Sequence, residues 1–298
     1  MRLERFDLNL LVALNVLLEE NSVTRAARRL NLTQPAMSAA LRRLRESFND
    51  DLLVANGKRM VPTPHAQSLA PMVAQLIIAA QAMISSSTLF DPATSHRVFR
   101  IAASDYITAI VLRPLLSELA DVAPHIRIEI VPLGPGVEAE MDRGAIDCVI
   151  SPEQFQSQGQ PQELLFTERH VLLGWSRNPL FAAPITQEAY DQAGHVTVEL
   201  SNARAFVEEQ VRALGDHRRI EVVASSFTIV PWLLPGTNRI ALVHERLARL
   251  FVDKFELAIA DPPFVIPPMR ELLQTHRSRA ADGGLVWLKE RLHFHAAS

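Results

Sequence analysis

A helical pattern that occurs twice between residues 22 and 48 constrains this chain of 298 residues more than any other feature. Apolar residues recur there at intervals of three and four, the spacing of one buried face of an α-helix. The first set is Val23, Ala26, Ala27 and Leu30, and the second set is Met37, Ala40, Leu41, Leu44 and Phe48. Ser22 and Thr33 stand at the two helix starts, where a side-chain oxygen can accept a hydrogen bond from an unpaired backbone N–H. The segment predicts two short helices joined by a tight turn.

The outward face of the second predicted helix carries small and cationic side chains. With the apolar face fixed, the outward positions are Gln34, Pro35, Ser38, Ala39, Arg42 and Arg43. Between residues 22 and 59 there are eight basic and three acidic side chains, a local formal charge of +5 in a chain of net charge −3. Positive charge concentrated on one element is typical of nucleic-acid binding. We therefore predict that this helix binds DNA.

The composition predicts a folded protein with more than one domain. Hydrophobic residues make up 48% of the chain, enough for sizeable cores. Cys148 is the single cysteine, which excludes an intrachain disulfide and a cysteine-based zinc site. Residues 8–18 are amphipathic rather than a continuous apolar signal segment, and no apolar run approaches the length of a membrane span. We expect a cytoplasmic protein with no membrane partner.

Motifs of common enzyme classes are absent from the sequence. It contains no Gly-x-Ser-x-Gly elbow, no phosphate-binding loop and no dinucleotide-binding fingerprint. His244 and Glu245 begin like a metalloprotease helix, but Ala248 stands where the second histidine belongs. His293 and His295 have no third ligand nearby in the sequence. We predict no catalytic residue, no metal site and no cofactor.

A β-hairpin is predicted directly after the helix pair. Asn56 and Gly57 separate apolar runs at residues 52–54 and 60–61, and this dipeptide favours a two-residue turn whose positions both need a positive φ. Lys58 and Arg59 place positive charge at the tip of the hairpin. We interpret the hairpin as a wing that contacts DNA; the alternative is an ordinary surface hairpin with solvated charges.

A long helix is predicted over residues 63–87. Thr63 and Pro64 form an N-cap and a first-turn proline, and an apolar stripe with the coiled-coil period follows. The stripe consists of Leu69, Met72, Val73, Leu76, Ala80, Met83 and Ile84. We interpret it as a surface for pairing with a second copy of the chain; packing against the chain's own helix pair is the alternative. A hinge is expected over residues 88–96.

Strands alternate with helices beyond residue 97, which predicts an α/β domain with mainly parallel sheets. Strands are predicted at residues 98–103, 125–131, 146–150, 169–175, 195–199, 219–223, 239–243 and 255–260. A further helix is predicted at residues 227–234. The length favours two lobes, one of residues 97–167 and 268–298 and the other of residues 168–267. Prolines at positions 262, 263, 267 and 268 indicate the return to the first lobe.

The segment FDLNLLVALNVLLEENSVTRAARRLNLTQPAMSAALRRLRESFNDDLL, followed by PTPHA, resembles the winged head of LysR-type transcriptional regulators. The segments FRIAASDYIT, GAIDCVISPE, FDPA and HRRIEVVASSF are similar to the branch that contains nodulation and aromatic-catabolism regulators. The resemblance implies an all-α winged helix-turn-helix head at residues 1–62, a linker helix at 63–87 and a two-lobed effector domain at 97–298 that resembles periplasmic binding proteins. It also implies a homotetramer of paired dimers and a small-molecule coinducer between the lobes.

On this resemblance, the recognition helix is residues 34–48. The predicted DNA contacts are Thr33, Gln34, Pro35, Ser38, Arg42, Arg43, Arg45, Lys58 and Arg59. Gln34 and Ser38 are candidates for hydrogen bonds to bases or phosphates, and Arg42 can reach either a guanine edge or a phosphate. Arg43 and the cations of the wing are expected to neutralise phosphates.

Candidates for the effector site stand at the predicted ends of strands, because open α/β sheets bind ligands beyond the carboxyl ends of their strands. They are Ser104, Tyr106, Glu153, His170, Ser201, Asn202 and Phe227. Each has a structural alternative. Ser104 can be a plain N-cap, Glu153 a solvated loop charge and His170 a satisfied core histidine.

These features predict a sequence-specific, DNA-binding transcriptional regulator that activates transcription in response to a small aromatic coinducer. The alternative is a repressor that responds to a non-aromatic metabolite. An enzyme is disfavoured because the motifs are missing, and a solute-binding protein is disfavoured by the winged head. The expected partners are double-stranded DNA, the coinducer, further copies of the chain in a homodimer or homotetramer, and RNA polymerase.

Overall fold

The computed structural model describes residues 6–56, 59–86, 90–157, 159–200, 203–215 and 217–297. The chain divides into two compact units. The first consists of residues 1–89, 142–145 and 278–282, and the second of residues 90–141, 146–277 and 283–298. Within the described ranges, no helix combines the length and the apolar character that a membrane span requires.

The first unit is built on a winged helix-turn-helix. Its elements are α1 (Asn9–Glu20), α2 (Val23–Arg29), α3 (Gln34–Phe48), β1 (Leu53–Asn56), β2 (Arg59–Pro62) and α4 (Pro64–Ser86). The Ser22 hydroxyl accepts the Arg25 N–H at 3.3 Å, and the Thr33 hydroxyl accepts the Ala36 N–H at 3.3 Å. Both predicted N-caps are therefore confirmed.

The predicted hairpin is present after α3, but Asn56, which we predict as a turn position of positive φ, is instead the last residue of β1. Strands β1 and β2 pair antiparallel, and Asn56 lies opposite Arg59. The turn position Lys58, which we predict to contact DNA, lies outside the described residues.

The apolar stripe of α4 is divided between two environments. Val73 is buried in the hydrophobic core that α1, α2 and α3 share, with Leu69 packed beside it. Met72 and Leu76 are exposed on the same helix. Packing against the chain's own head, the alternative interpretation of the stripe, is thus correct for one side of α4. The side chain of Ile84 lies outside the described residues.

The second unit contains eleven strands and seven helices among the described residues. The strands are β3 (Val98–Ala102), β4 (Arg127–Val131), β5 (Cys148–Pro152), β6 (Gln162–Glu168), β7 (His170–Trp175), β8 (Gly194–Leu200), β9 (Ala203–Arg204), β10 (Arg219–Ala224), β11 (Arg239–His244), β12 (Leu257–Ala260) and β13 (Met269–Thr275). The helices are α5 (Asp105–Ile107), α6 (Arg113–Val122), α7 (Val137–Asp142), α8 (Gln187–Gln192), α9 (Phe206–Ala213), α10 (Glu245–Phe255) and α11 (Gly283–Ala297). A π-helical turn, Thr108–Leu112, joins α5 to α6.

The strands form two sheets, each the centre of one lobe. Lobe 1 has the order β4-β3-β5-β13-β6, and lobe 2 has the order β10-β8-β11-β7-β12 with β9 paired to β8. The predicted two-lobed α/β class is confirmed, but the predicted mainly parallel pairing is wrong. Strand β13 pairs antiparallel with β5 and β6, and β7 pairs antiparallel with β11 and β12. Both sheets are mixed because the chain leaves lobe 1 through β6 and β7 and returns through β13.

Several element boundaries differ from the sequence pattern for local reasons. The predicted strand at residues 146–150 lies at Cys148–Pro152, and α10 continues through Phe255 until Glu256 adopts a left-handed conformation with φ 52°. The predicted helix at 227–234 is only the 3₁₀ turn Val230–Leu233. The pattern misses β13 because Glu271 and Gln274 interrupt its apolar residues, although both side chains are buried.

Candidate functional site

The outward face of α3 is exposed along its first half. Met37, Leu41 and Leu44 are buried in the core of the first unit, which fixes the orientation of the helix. The predicted contacts Thr33, Gln34, Pro35, Ser38, Arg42 and Arg43 are exposed together on the opposite side. This face offers one amide, two hydroxyls and two guanidinium groups to a partner.

The three arginines of α3 have different surroundings. Arg42 has no ion pair or hydrogen bond with any described residue. Arg43 lies 3.2 Å from the Asp7 carboxylate. Arg45 donates to the carbonyl oxygens of Asp51 and Leu53, each at 2.8 Å. Arg45 thus joins α3 to the start of the hairpin, and two of its five N–H donors are used inside the protein.

The arginines of α2 also differ in whether they form an ion pair. Arg25 pairs with Glu20 at 3.0 Å, and Arg29 pairs with Glu19 at 2.6 Å. Arg28 is exposed and has no such partner among the described residues, and the same holds for Arg59 on β2. The unpaired positive charge of the described part of this unit therefore includes Arg28, Arg42 and Arg59.

A cavity of about 430 Å³ lies between the two lobes of the second unit. Lobe 1 contributes the turn after β3, the end of β5 and strand β13, and lobe 2 contributes the ends of β8 and β11 and the start of α9. The aromatic side chains of its wall are Tyr106, Phe155, Phe206, Phe227 and His244. We call this cavity the cleft.

Three of the predicted effector residues line the cleft. Ser104, Tyr106 and Phe227 face it from the two lobes, and the Ser104 hydroxyl also caps α5 by accepting the Ile107 N–H at 3.2 Å. Ser104 is therefore an N-cap, as its alternative interpretation predicts, and it also lines the cavity. Ser201 and Asn202 lie outside the described residues, although Leu200 before them lines the cleft.

Two other predicted residues do not line it. Glu153 is exposed and pairs with Arg270 at 3.0 Å, which matches its alternative as a surface charge. His170 is buried behind the wall, with its ring 4.8 Å from His244 and 5.7 Å from Phe206. Neither ring nitrogen of His170 has a hydrogen-bond partner in the described part of the chain, so within that part His170 is not the satisfied core histidine of the alternative.

A buried polar cluster forms one end of the cleft. The Tyr106 hydroxyl donates a hydrogen bond to Glu168, and the Tyr106 ring stacks on His244 with 3.8 Å between centroids and 8° between planes. Glu271 of β13 is buried in the same cluster, close enough to Glu168 for that carboxylate to raise its pKa. We call Tyr106, Glu168, His170, His244 and Glu271 the polar floor.

The polar floor favours uncharged forms of its side chains. Burial raises the pKa of Glu271 well above its usual value, and the neighbouring Glu168 raises it further. Burial also raises the pKa of Glu168, although the Tyr106 hydroxyl and Arg246 oppose that rise. Burial lowers the pKa of His170 to about 4 and holds the pKa of His244 well below its ordinary value. Both imidazoles are therefore neutral at pH 7.

Among the wall residues that sequence analysis misses are His244, Glu271 and Gln274. His244 ends strand β11, so the rule that selects strand ends could have found it. Glu271 and Gln274 lie within β13, and the only available signal is a polar residue inside an otherwise apolar run. Among the described residues, no three histidine, cysteine, aspartate or glutamate side chains are grouped so that they could hold a metal ion.

A carboxylate joins the two lobes beside the cleft. The Oδ2 atom of Asp105 accepts hydrogen bonds from the Ser226 hydroxyl at 2.6 Å, from the Thr228 N–H at 2.8 Å and from the Thr228 hydroxyl at 2.8 Å. Asp105 follows Ser104 in lobe 1, and Phe227 stands between its two partners in lobe 2. We call these hydrogen bonds of Asp105 to Ser226 and Thr228 the clasp. The clasp positions Ser104 and Phe227 of the wall relative to each other.

Comparison with known proteins gives a consistent result for both units. The family of bacterial regulatory helix-turn-helix proteins, lysR family, matches residues 8–67. The LysR substrate binding domain matches residues 93–296, which is more than half of the chain.

Similar proteins match nearly the full length. Nodulation protein D 2 of Rhizobium tropici is 40% identical over 294 residues, covering 98% of this chain and 93% of that protein. Nodulation protein D 1 of Bradyrhizobium elkanii is 39% identical over 294 residues, covering 98% of this chain and 94% of that protein. A full-length OxyR variant from Pseudomonas aeruginosa has the same fold, with a TM-score of 0.74 over 98% of this chain and 95% of that chain at 16% identity. The chain belongs to the LysR family of DNA-binding transcriptional regulators and is not an enzyme.

Proposed function

We propose that this regulator is a transcriptional activator in the cytoplasm that binds a promoter site through α3 and is switched by a small aromatic coinducer bound in the cleft. The observation that carries the proposal is a cleft of about 430 Å³ whose wall is rich in aromatic side chains. Sites for small organic ligands have such volumes and are lined mainly by apolar and aromatic groups with a few polar groups.

For DNA, the proposal relies on the exposed face of α3. Gln34 and Ser38 can donate or accept hydrogen bonds near the start of the helix, where base edges are read in helix-turn-helix proteins. Arg42 has no competing partner among the described residues, so it is available for a guanine or a phosphate. Arg43 and Arg59 are proposed phosphate contacts, with Thr33 and Pro35 at the helix start and Lys58 on the wing. Arg45 is left out because it bonds two backbone carbonyls.

Self-association completes the proposed function. Met72 and Leu76 leave one side of α4 exposed and apolar, which favours pairing with a second copy. Two heads in a dimer would address two half-sites about 34 Å apart, one turn of DNA. The proposed assembly is a homodimer or a homotetramer of such pairs, which activates transcription by recruiting RNA polymerase.

The decisive experiment is a gel shift with the full chain and the DNA upstream of its own gene. We expect a specific shift at low salt whose affinity or mobility changes when an aromatic coinducer is added. The affinity should fall steeply as salt rises, with a slope of log K against log salt of about −4 to −5 per head, because bound phosphates release counterions. No shift at low salt would exclude this DNA as a target. A shift that no aromatic compound alters, combined with a response to a non-aromatic metabolite, would overturn the aromatic switch.

A thermal-shift screen of the full chain tests the ligand class separately. Aromatic ligands that bind the folded cleft should raise the unfolding midpoint, because they stabilise only the folded state. Phe227→Ala should reduce that rise, since Phe227 lines the cleft. Phe294→Ala is the control, because Phe294 is an exposed phenylalanine that does not line it. Equal responses in both variants would place the ligand elsewhere.

A further inference from the structure

Two buried polar atoms of the cleft have no hydrogen-bond partner among the described residues. They are Oε2 of Glu271 and Nδ1 of His244, on side chains that are 2% and 4% exposed. Both residues line the cleft. A buried polar group without a partner costs free energy, and native proteins leave few such groups. A ligand that reaches these two atoms would therefore recover that cost.

The two atoms come from different lobes. Glu271 lies on β13 of lobe 1, and His244 ends β11 of lobe 2. Tyr106 is a neighbour of both residues, because its ring stacks on His244 and Glu271 contributes to the raised pKa of its hydroxyl. A small polar group of a ligand can bond to either atom, as donor or as acceptor, if it can both donate and accept a hydrogen bond. A hydroxyl does both, whereas a carboxylate only accepts.

The wall also lacks a positive charge for an anionic ligand. Among the described side chains that line the cleft there is no lysine or arginine, while Glu138 and Glu271 are carboxyl groups. The nearby Arg246 lies 3.7 Å from Glu168 and donates to the Ala296 carbonyl at 2.6 Å. An anion that entered the cleft would lose its hydration without gaining an ion pair with any of these residues, which is strongly unfavourable.

We propose that the cleft selects uncharged aromatic molecules that carry a hydroxyl group and excludes aromatic carboxylates, and that Glu271 and His244 determine this selectivity by hydrogen bonding to the polar groups of the ligand. The inference rests on the proposed coinducer site and narrows its chemistry. The uncharged forms that burial favours for Glu271 and His244 agree with it, since a neutral carboxyl and a neutral imidazole each offer one donor and one acceptor.

The test compares two probes with the same ring system, naphthalen-2-ol and naphthalene-2-carboxylate, together with naphthalene itself. Binding to the full chain is measured by titration calorimetry at pH 7, where the naphthol is neutral and the carboxylate is charged. We expect the naphthol to bind at least about 30-fold more tightly than the carboxylate, because the cleft cannot compensate the lost hydration of an anion. Naphthalene should bind more weakly than naphthol, because it leaves both polar atoms without a partner.

Three variants identify the residues responsible. Glu271→Leu and His244→Phe should each weaken naphthol binding by about five- to tenfold, the effect of one lost hydrogen bond. Glu271→Leu should also raise the thermal midpoint of the unliganded protein, because it removes a buried, unpartnered carboxyl group. This readout shows that the variant is folded. Glu290→Leu is the matched control: Glu290 is an exposed glutamate on α11 that does not line the cleft, so naphthol affinity should not change.

The outcomes separate the two proposals. Carboxylate binding as tight as naphthol binding would overturn the charge selectivity while the aromatic site stands. Unchanged naphthol affinity in both Glu271→Leu and His244→Phe would overturn the role of these two residues. If none of the three probes binds, the aromatic site of the proposed function fails, and the inference fails with it.

Discussion

The exposed face of α3 and the polar floor of the cleft use polar side chains in opposite ways. On α3, Arg42 is exposed and has no partner among the described residues, so its charge is available to a polyanion. In the polar floor, His244 and Glu271 are buried and their surroundings favour the uncharged forms. The difference indicates what each surface can bind: α3 suits a large anion at the protein surface, and the cleft suits a small neutral molecule removed from water.

The two surfaces also differ in how the chain assembles them. The α3 face comes from residues 33–43, so one helical period is enough to bring it together. The cleft joins residues such as Asp105 and Thr228, which are 123 positions apart. A local surface can tolerate a changed side chain without losing its shape. The cleft depends on long-range contacts, so its variants should show effects on stability as well as on binding.

The largest expected effect tests whether burial holds the histidines neutral. Burial lowers the pKa of His170 from 6.5 to about 4, so between these values the unfolded chain binds a proton that the folded protein does not. The part of the folding stability that depends on a neutral His170 is therefore fully present above pH 6.5, and it is lost as the pH falls toward 4. His170→Phe should remove this loss, a difference of about 3 kcal/mol in the free energy of unfolding at pH 4.

Urea unfolding of both proteins across this pH range measures the difference. Glu168, Glu271 and His244 titrate in both proteins. Because His170 also lowers the pKa of His244, the difference between the two pH profiles reports the coupled pair of histidines. Parallel profiles would show that His170 is accessible to protons in the folded state, and the contrast between the two surfaces would be lost.

The next effect concerns the clasp between the lobes. Asp105→Ala removes the shared acceptor of three hydrogen bonds and should cost about 2–3 kcal/mol of local stability, because bonds to a charged acceptor are among the stronger ones. Hydrogen exchange at the Thr228 amide should accelerate. Asp121→Ala, an exposed aspartate on α6, is the control. Unchanged exchange at Thr228 would show that the clasp does not hold the lobes.

A smaller effect is expected at the DNA face. Arg42→Ala should lower the affinity for the operator by about 30-fold and relax the base preference at one position, if Arg42 bonds a guanine. Arg28→Ala removes an exposed, unpaired cation outside α3 and should act only through general electrostatics. Titrations at one fixed salt concentration compare the two variants. Equal losses on specific and random DNA for Arg42→Ala would assign it to a phosphate instead.

The smallest effect separates neighbouring residues of α4. Val73 is 5% exposed and Met72 is 66% exposed. Val73→Ala should cost about 1.5 kcal/mol of stability in the first unit, the transfer free energy of the lost methyl groups. Met72→Ala should leave stability within about 0.5 kcal/mol and instead weaken self-association, as measured by sedimentation equilibrium. A dimer unaffected by Met72→Ala would place the pairing surface elsewhere.

The head was more predictable than the cleft for a physical reason. The N-caps Ser22 and Thr33 and the buried residues of α3 follow from spacing along the chain, and all of them lie where the periodicity predicts. The bonds of Arg45 to the Asp51 and Leu53 carbonyls have no such signal, because they depend on where the hairpin packs.

In the second unit, the strand-end rule selected Ser104, Tyr106 and Phe227, which line the cleft. The same rule also selected His170 and Glu153, which do not line the cleft. His170 is buried behind the wall, and Glu153 is on the surface. Spacing along the chain does not indicate which face of a buried strand meets a cavity. That information depends on how the two sheets pack.

By itself, the sequence determined the winged helix-turn-helix, the exposed face of α3, the long helix α4 and the two-lobed α/β class, because each follows from local periodicity and from the order of elements. Only the tertiary structure decided that β13 inserts antiparallel between β5 and β6. That insertion buries Glu271 at the cleft, where His244 of the other lobe faces the same cavity. Strand pairing across more than a hundred residues has no local signal, and the ionisation of these side chains is set by burial that the pairing creates.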